Sequence, residues 1–235
     1  MEPTESDASP AALPFLLTAE EGRVLGCLLE KEMATPEYYP MTLNGLTQAC
    51  NQKSNRRPVM ELSSEEVREA LDSLREKKLA MIVSVADSRV PKFKRVTEIL
   101  GDPEAAERAI LCELLVRGPQ TAGELRNRCD RLRPFAGIDE VEKFLNFLTE
   151  APPGPLVRKL PRQPGHKECR YVQLLTGEPE EGGMDAGEAA VSGSAPASGA
   201  SQLGRIEALE KEVADLRAET RDLRSALEAF RRQFE

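Results

Sequence analysis

Few side chains in this chain could do chemistry, and their spacing argues against catalysis. The single histidine, His166, sits beside the turn signal Gln163-Pro164-Gly165, and no Ser, Cys or Asp arrangement around it follows from the pattern. Glu30 and Glu32 are a carboxylate pair in sequence only, because residues two apart on a helix point to different sides and cannot share a substrate. The five cysteines, at 27, 50, 112, 129 and 169, make no CxxC or Cys/His cluster. Neither a metal site nor a disulfide framework is therefore expected, and the thiols should be reduced. No glycine-rich phosphate loop is present. The residue types exclude the common enzyme classes, so the chain is expected to be no enzyme and to carry no cofactor.

Cations are the more informative group, because they gather at equivalent places in two halves of the chain. In the first half Lys53, Arg56 and Arg57 precede a helix, and Arg89, Lys92, Lys94 and Arg95 lie on or beside a hairpin. In the second, Arg126, Arg128, Arg131 and Arg133 precede a helix, while Arg158, Lys159, Arg162, Lys167 and Arg170 lie on the hairpin. Cations collected on one surface are what phosphate contacts need. Basic residues on turns and edge strands also serve solubility and block edge pairing, which is the plainer explanation. The segment from Asn51 to Met60, dense in Asn, Gln, Lys, Ser and Arg, could present donors to a phosphate or a carboxylate. Equally, it could be a turn whose side chains cap helix ends while Val59 and Met60 anchor the core. Tyr38 and Tyr39 read as packing residues.

The elements that must position these groups are legible from caps and periodicity. Thr18-Ala19-Glu20-Glu21 is a capping box that starts a helix, and Val24, Leu25, Leu28 and Leu29 give it an apolar face. Thr35-Pro36 ends it. A second helix follows from Thr42 and a third from the capping box Ser63-Ser64-Glu65-Glu66, with Val67, Ala70, Leu71 and Leu74 as its buried stripe. Met81 to Val85 and Val90 to Val96 then read as strand, turn, strand. The order recurs: Pro40, Thr42, Leu46 and Cys50 match Pro119, Thr121, Leu125 and Cys129 at one constant offset. Val24, Leu25, Leu28 and Leu29 likewise match Ile110, Leu111, Leu114 and Leu115. The repeated third helix carries Val141, Phe144, Leu145 and Leu148 with Asp139 as its expected cap, and a hairpin follows over Leu156 to Leu160 and Arg170 to Leu175.

Three helices and a hairpin, twice, predict a mainly α fold with small β-hairpins (α+β) made of two tandem winged-helix domains. Their expected bounds are 18–100 and 101–176, after a disordered tail over 1–17. The segment 177–201 holds no basic and 5 acidic residues among Gly, Ala, Ser and Pro, and reads as a flexible acidic linker. In 202–235 the apolar positions Ile206, Leu209, Val213, Leu216, Thr220, Leu223, Leu227, Phe230 and Phe234 step by 3 and 4, the seam of a coiled coil. Ile, Val and Thr at a with Leu at d favour a parallel pair. The contacts Arg205 with Glu210, Glu212 with Arg217, and Glu219 with Arg224 would all join opposite charges across it. A homodimer through this coil is expected. The net charge of −8 is carried by the tails, since 18–100 has 13 basic and 13 acidic residues and 101–176 has 12 and 11. Neither a secretory signal nor a membrane span is legible, so a cytoplasmic setting is expected.

Three motifs are distinctive: Arg23-Val24-Leu25-Gly26 to Glu32, Thr35-Pro36-Glu37-Tyr38-Tyr39-Pro40, and Ala49-Cys50-Asn51-Gln52-Lys53-Ser54-Asn55-Arg56-Arg57-Pro58-Val59-Met60. With Leu115 to Arg126 and Leu160 to Gly165, they make the chain resemble the uncharacterised bacterial family typified by YceH. The resemblance spans about 18–176, leaves the linker and coil outside, and implies a winged-helix fold in a bacterial cytoplasm without supplying an activity. The functional expectation is a DNA-binding regulator that holds phosphates through wings and loops with weak sequence specificity. A protein-interaction scaffold, with the layout of a chromosome-segregation tandem winged-helix protein, is the alternative.

Overall fold

The structure, a computed structural model, describes residues 15–83, 90–150, 154–163, 165 and 168–177. The expected linker beyond Gly177 and the whole coil seam from Ile206 to Phe234 lie outside these residues, as do Arg89, His166 and Lys167. Among the described residues the protein is a mixed α+β fold of six α-helices and two three-stranded antiparallel sheets.

The first repeat comprises α1 (Ala19–Ala34), β1 (Met41–Thr42), α2 (Leu43–Cys50), α3 (Ser64–Glu76), β2 (Ala80–Val83) and β3 (Lys92–Arg95). The second follows the same order with α4 (Ala105–Arg117), β4 (Gln120–Thr121), α5 (Ala122–Cys129), α6 (Ile138–Glu150), β5 (Val157–Lys159) and β6 (Arg170–Gln173). Each sheet runs in the same relative order, β1-β3-β2 and β4-β6-β5. Local chemistry explains most boundaries. Thr18 and Ser63 form reciprocal capping boxes with Glu21 and Glu66, and Thr121 does so with Glu124, satisfying backbone donors that a helix start leaves free. Thr42 caps α2 by accepting from Gly45 N at 3.2 Å.

Four of the six helices divide into a central pair and two outer ones. α1 is buried at every residue from Glu21 to Glu30, and α4 at all but one from Ala106 to Val116. A helix covered on all sides belongs in the middle of a core. The two pack against each other, closely enough at Gly26 that an added Cβ would lie 2.8 Å from Val116 Cγ1 and 3.0 Å from Leu115 Cβ. Beside it the Cys112 thiol donates to Gly26 O at 3.5 Å. α3 and α6 are amphipathic instead, burying Val67, Ala70, Leu71 and Leu74, and Val141, Leu145 and Leu148. One hydrophobic core thus runs through both repeats, each fully buried leucine in it contributing about 1.5–3 kcal/mol.

Several expectations are corrected. The short strands β1 and β4 escape a periodicity reading, since two residues cannot show alternation. Asp139 lies inside the first turn of α6 and does not cap it. Glu140 reaches back to that start, accepting from Ala136 N at 2.7 Å. Residues 15–17, assigned to the tail, are tied down: Leu17 is buried and its N–H donates to Leu175 O at 2.7 Å. Tyr39 packs on the core, but Tyr38 is 73% exposed. No helix among the described residues is long and apolar enough to cross a membrane.

Candidate functional site

A carboxylate in the middle of a buried helix must find partners or lose its charge. Glu30 on α1 and Glu113 on α4 are in that position, with side chains 1% and 0% exposed. The loop between α2 and α3 supplies the first partner. It turns at Asn55, which adopts φ 60°, a conformation Asn tolerates better than most residues. The turn directs Arg56 inward: its Nη1 and Nη2 donate to Glu30 Oε1 and Oε2 at 3.2 and 2.5 Å, and its Nε donates to Ala49 O at 3.0 Å. From the loop between α5 and α6, Arg131 Nη2 lies 2.7 Å from Glu30 Oε1 and 2.9 Å from Glu113 Oε1. Arg117 pairs with Glu113 Oε2 at 2.8 Å and donates to Asn55 Oδ1. The result is a chain of charges joining the two repeats, Arg56–Glu30–Arg131–Glu113–Arg117, whose two ends both donate to the neutral Asn55. Burial disfavours ionised Glu30, yet the hydrogen bonds and charge of Arg56, then of Arg131, hold its pKa below the usual carboxylate value.

The loop is built to stay in place. Arg23, itself buried, donates from Nη1 to Cys50 O at 3.1 Å and from Nη2 to Pro58 O at 2.6 Å. Asn51 exchanges two hydrogen bonds with the Leu62 backbone, at 2.7 and 2.8 Å. Arg57 N donates to Val116 O at 2.8 Å, so the backbone of the first repeat also bonds the end of α4. The segment from Asn51 to Met60 is therefore a tie between repeats. Of the two anchoring residues expected in it, Val59 is exposed.

This placement sorts the candidate contacts. Arg56 and Arg131 both pair with buried carboxylates, Arg56 from the interior and Arg131 from an exposed position. Arg128 donates to Gln120 Oε1 at 2.8 Å and pairs with Glu124 at 3.3 Å. Arg133 pairs with Glu140 at 2.8 Å and lies 4.6 Å over the Phe135 ring. Arg95 is held by Glu32 at 2.5 Å, and Arg170 by the Pro119 carbonyl at 3.0 Å. Facing solvent are Lys53, Arg57, Arg126, Arg158, Lys159 and Arg162, with Lys92 and Lys94 half-buried on β3. Phe93 points into the core between those two lysines, so by strand alternation both lie on the outer face of the sheet. Arg89 and Lys167 lie outside the described residues. The structure brings Lys92 with Lys94, and Arg158 with Lys159, onto the two hairpins.

A cleft of about 200 Å³ near β5 is lined by Glu142, Glu168, Lys159, Cys169 and Tyr171 among others. It sets two carboxylates against one ammonium, which lies 5.6 Å over the Tyr171 ring. Burial pushes the Cys112 and Cys129 thiols up, and a hydrogen bond with Cys27 together with burial does the same for Cys50, which makes them poor nucleophiles. No His, Cys, Asp and Glu group able to hold a metal occurs among the described residues.

Comparison with known proteins agrees with the distinctive motifs. A family model described as "Protein of unknown function, DUF480" matches residues 17–166, so the chain belongs to that family. A UPF0502 protein of Geobacter sulfurreducens is 52% identical over 229 residues, covering 95% of this chain and 100% of its own length. One of Vibrio parahaemolyticus is 45% identical over 218 residues, covering 91% and 97%. The UPF0502 protein YceH of Salmonella paratyphi A is 44% identical over 210 residues, covering 87% and 94%. A match over 95% of the chain extends into 202–235, whereas the family model stops at 166.

Proposed function

We propose that this protein is a non-enzymatic binding module of two tandem winged helices, which holds DNA by its hairpin cations with weak sequence specificity. The observation that carries this reading is that both hairpins keep accessible cations: Lys92 and Lys94, half-buried on the outer face of one, and the exposed Lys159 and Arg162 on and beside the other. Phosphates can reach these cations. The order of three helices and a three-stranded sheet is that of winged helices, whose third helix usually reads bases in the major groove. Here α3 opens with Glu65 and Glu66 and continues with Glu69 and Asp72, and α6 carries Asp139, Glu140 and Glu142. Arg68 and Arg75 on α3 are paired with those carboxylates. Acidic helices repel phosphates, which leaves the hairpins to do the binding.

Fluorescence anisotropy with a random-sequence duplex at several salt concentrations tests this. Replacing Lys92, Lys94, Lys159 and Arg162 by Ala should weaken binding and flatten its salt dependence together. Unchanged binding would remove the hairpins from the mechanism. The same acidic outer faces favour a second reading, a protein-interaction scaffold. A pull-down from native lysate, with and without nuclease, separates the two, since DNA-bridged partners are lost on digestion. In either reading residues 202–235 pair two copies, and a chain ending at Ser201 should run as a monomer in light scattering.

A further inference from the structure

Cations gather at the seam between the repeats as well as on the hairpins. Arg117 ends α4, Arg128 lies on α5, and Arg131 follows in the loop before α6. Arg117 and Arg131 pair with the two oxygens of one carboxylate, Glu113, at 2.8 and 2.9 Å, so their guanidiniums are neighbours. Arg128 joins them through Gln120, a buried side chain that donates to Glu113 O at 2.8 Å and accepts from Arg128 Nη1 at 2.8 Å. Burial, and after it the charges of Arg128 and Arg131, lower the Arg117 pKa against the pull of Glu113.

This cluster holds more positive charge than its own carboxylates neutralise. Its ion pairs set Lys31, Arg56, Arg117, Arg128 and Arg131 against Glu30, Glu113 and Glu124, an excess of two. Like charges held together beside a low-dielectric core are costly unless a counter-charge answers them. Donors are also left over. Among the described residues no hydrogen bond engages Arg117 Nη1, Arg128 Nε, or Nε and Nη1 of Arg131. The three side chains are 20%, 35% and 35% exposed. Glu113, Gln120 and Asn55 meanwhile hold the guanidiniums in place, so a ligand would find them already ordered.

We propose that the seam binds a phosphate dianion, as a phosphomonoester group or as inorganic phosphate, between Arg117, Arg128 and Arg131. The planar guanidinium fork suits the oxygens of a phosphate. A phosphomonoester carries about −1.5 to −2 charges at neutral pH, which answers the excess in the cluster. A phosphodiester of the DNA backbone carries a single charge and answers it less well. Arg117 also reaches Asn55, and Arg131 reaches Glu30, so the ligand would sit where the two repeats are joined. The site lies apart from the hairpins and does not rest on their binding DNA.

Calorimetric titration of the full chain with methyl phosphate, inorganic phosphate and dimethyl phosphate, at constant ionic strength set by sodium chloride, tests this. Both dianions should bind saturably at a single site, and the singly charged dimethyl phosphate at least about tenfold more weakly. Tighter binding of methyl phosphate supports the proposal with a monoester as the source, and tighter binding of inorganic phosphate supports it with the free ion. Arg128→Ala should weaken the dianions about tenfold, and so should Arg131→Lys, which keeps a charge for Glu30 and Glu113 but loses the fork. Urea unfolding without phosphate checks that both variants are folded. No saturable binding, dimethyl phosphate bound as tightly, or an affinity unchanged in either folded variant would overturn the proposal. So would loss of phosphate binding in Lys92→Ala with Lys94→Ala, which would place the anion at a hairpin. DNA is absent from every titration, so failure here and failure of the hairpin reading are told apart.

Discussion

Both repeats place an arginine in the loop ahead of their third helix, and both send it to Glu30, but under different conditions. The Arg56 side chain is 0% exposed, while that of Arg131 is 35% exposed. Arg56 has exchanged all its hydration for a carboxylate and two carbonyls. Arg131 keeps part of its hydration and bridges Glu30 to Glu113. Two loops in the same place of the element order have produced one arginine committed to the interior and one at its margin. The difference follows from what each loop reaches: the 51–63 loop bonds the end of α4 through the Arg57 backbone, whereas the 130–137 loop reaches α1 through the long Arg131 side chain.

The comparison makes ordered predictions. Arg56→Ala leaves a buried, uncompensated carboxylate and should destabilise the fold by about 3–5 kcal/mol, measured by urea unfolding. An equal loss from Arg131→Ala would erase the distinction, because a cation more than a third exposed is partly screened and should cost only about 1 kcal/mol. Gly26→Ala should cost about 1–3 kcal/mol, since the new methyl would meet Val116 and Leu115 across the α1–α4 contact. A variant as stable as the parent would show that the central pair can separate without cost.

The pH dependence follows from Glu30 and from Glu21, which Lys77 holds at 2.6 Å. Burial opposes ionisation of Glu21, but the hydrogen bond from Lys77 brings its pKa below the ordinary value. A depressed carboxylate pKa contributes stability that is present above the unfolded value of about 4.3 and is lost as pH falls through the folded value. Stability should therefore be level near neutrality and fall below about pH 4. In Glu30→Gln that fall should be shallower, so that the two unfolding curves converge toward acid. Parallel curves would mean that Glu30 does not titrate with unfolding.

The smallest effect on stability is expected at the hairpins. Lys92→Ala with Lys94→Ala should leave the urea midpoint unchanged while lowering the salt slope of DNA binding, and so should Lys159→Ala with Arg162→Ala. If one pair carries all the salt dependence, the repeats have separated in function as well as in burial.

Much of the fold was legible because it is written locally. Capping boxes at Thr18 and Ser63, the stripe Val67-Ala70-Leu71-Leu74, and the repeated Thr-Leu-Cys spacing each follow from a few adjacent residues and place helices to within one or two positions. Asp139 misled because a good capping residue is also favoured inside the first turn, where its charge suits the helix dipole. The candidate site was less legible. One signal was available: Glu113 interrupts the run Ala109-Ile110-Leu111-Cys112-Glu113-Leu114-Leu115-Val116, and a carboxylate amid apolar residues asks for a cation. Which cation answers could not be read, because Arg56, Arg117 and Arg131 are spread over 76 positions of the sequence.

The sequence by itself determined the helices, their caps, the recurrence of the order and the presence of basic loops, since hydrophobic period and capping act over a turn or two of chain. Only the tertiary structure decided which of those basic residues face solvent. A guanidinium beside a turn looks the same in sequence whether it meets water or a carboxylate, and the difference arises when α1 and α4 pack at Gly26 and bring Glu30 and Glu113 within reach of the same arginine.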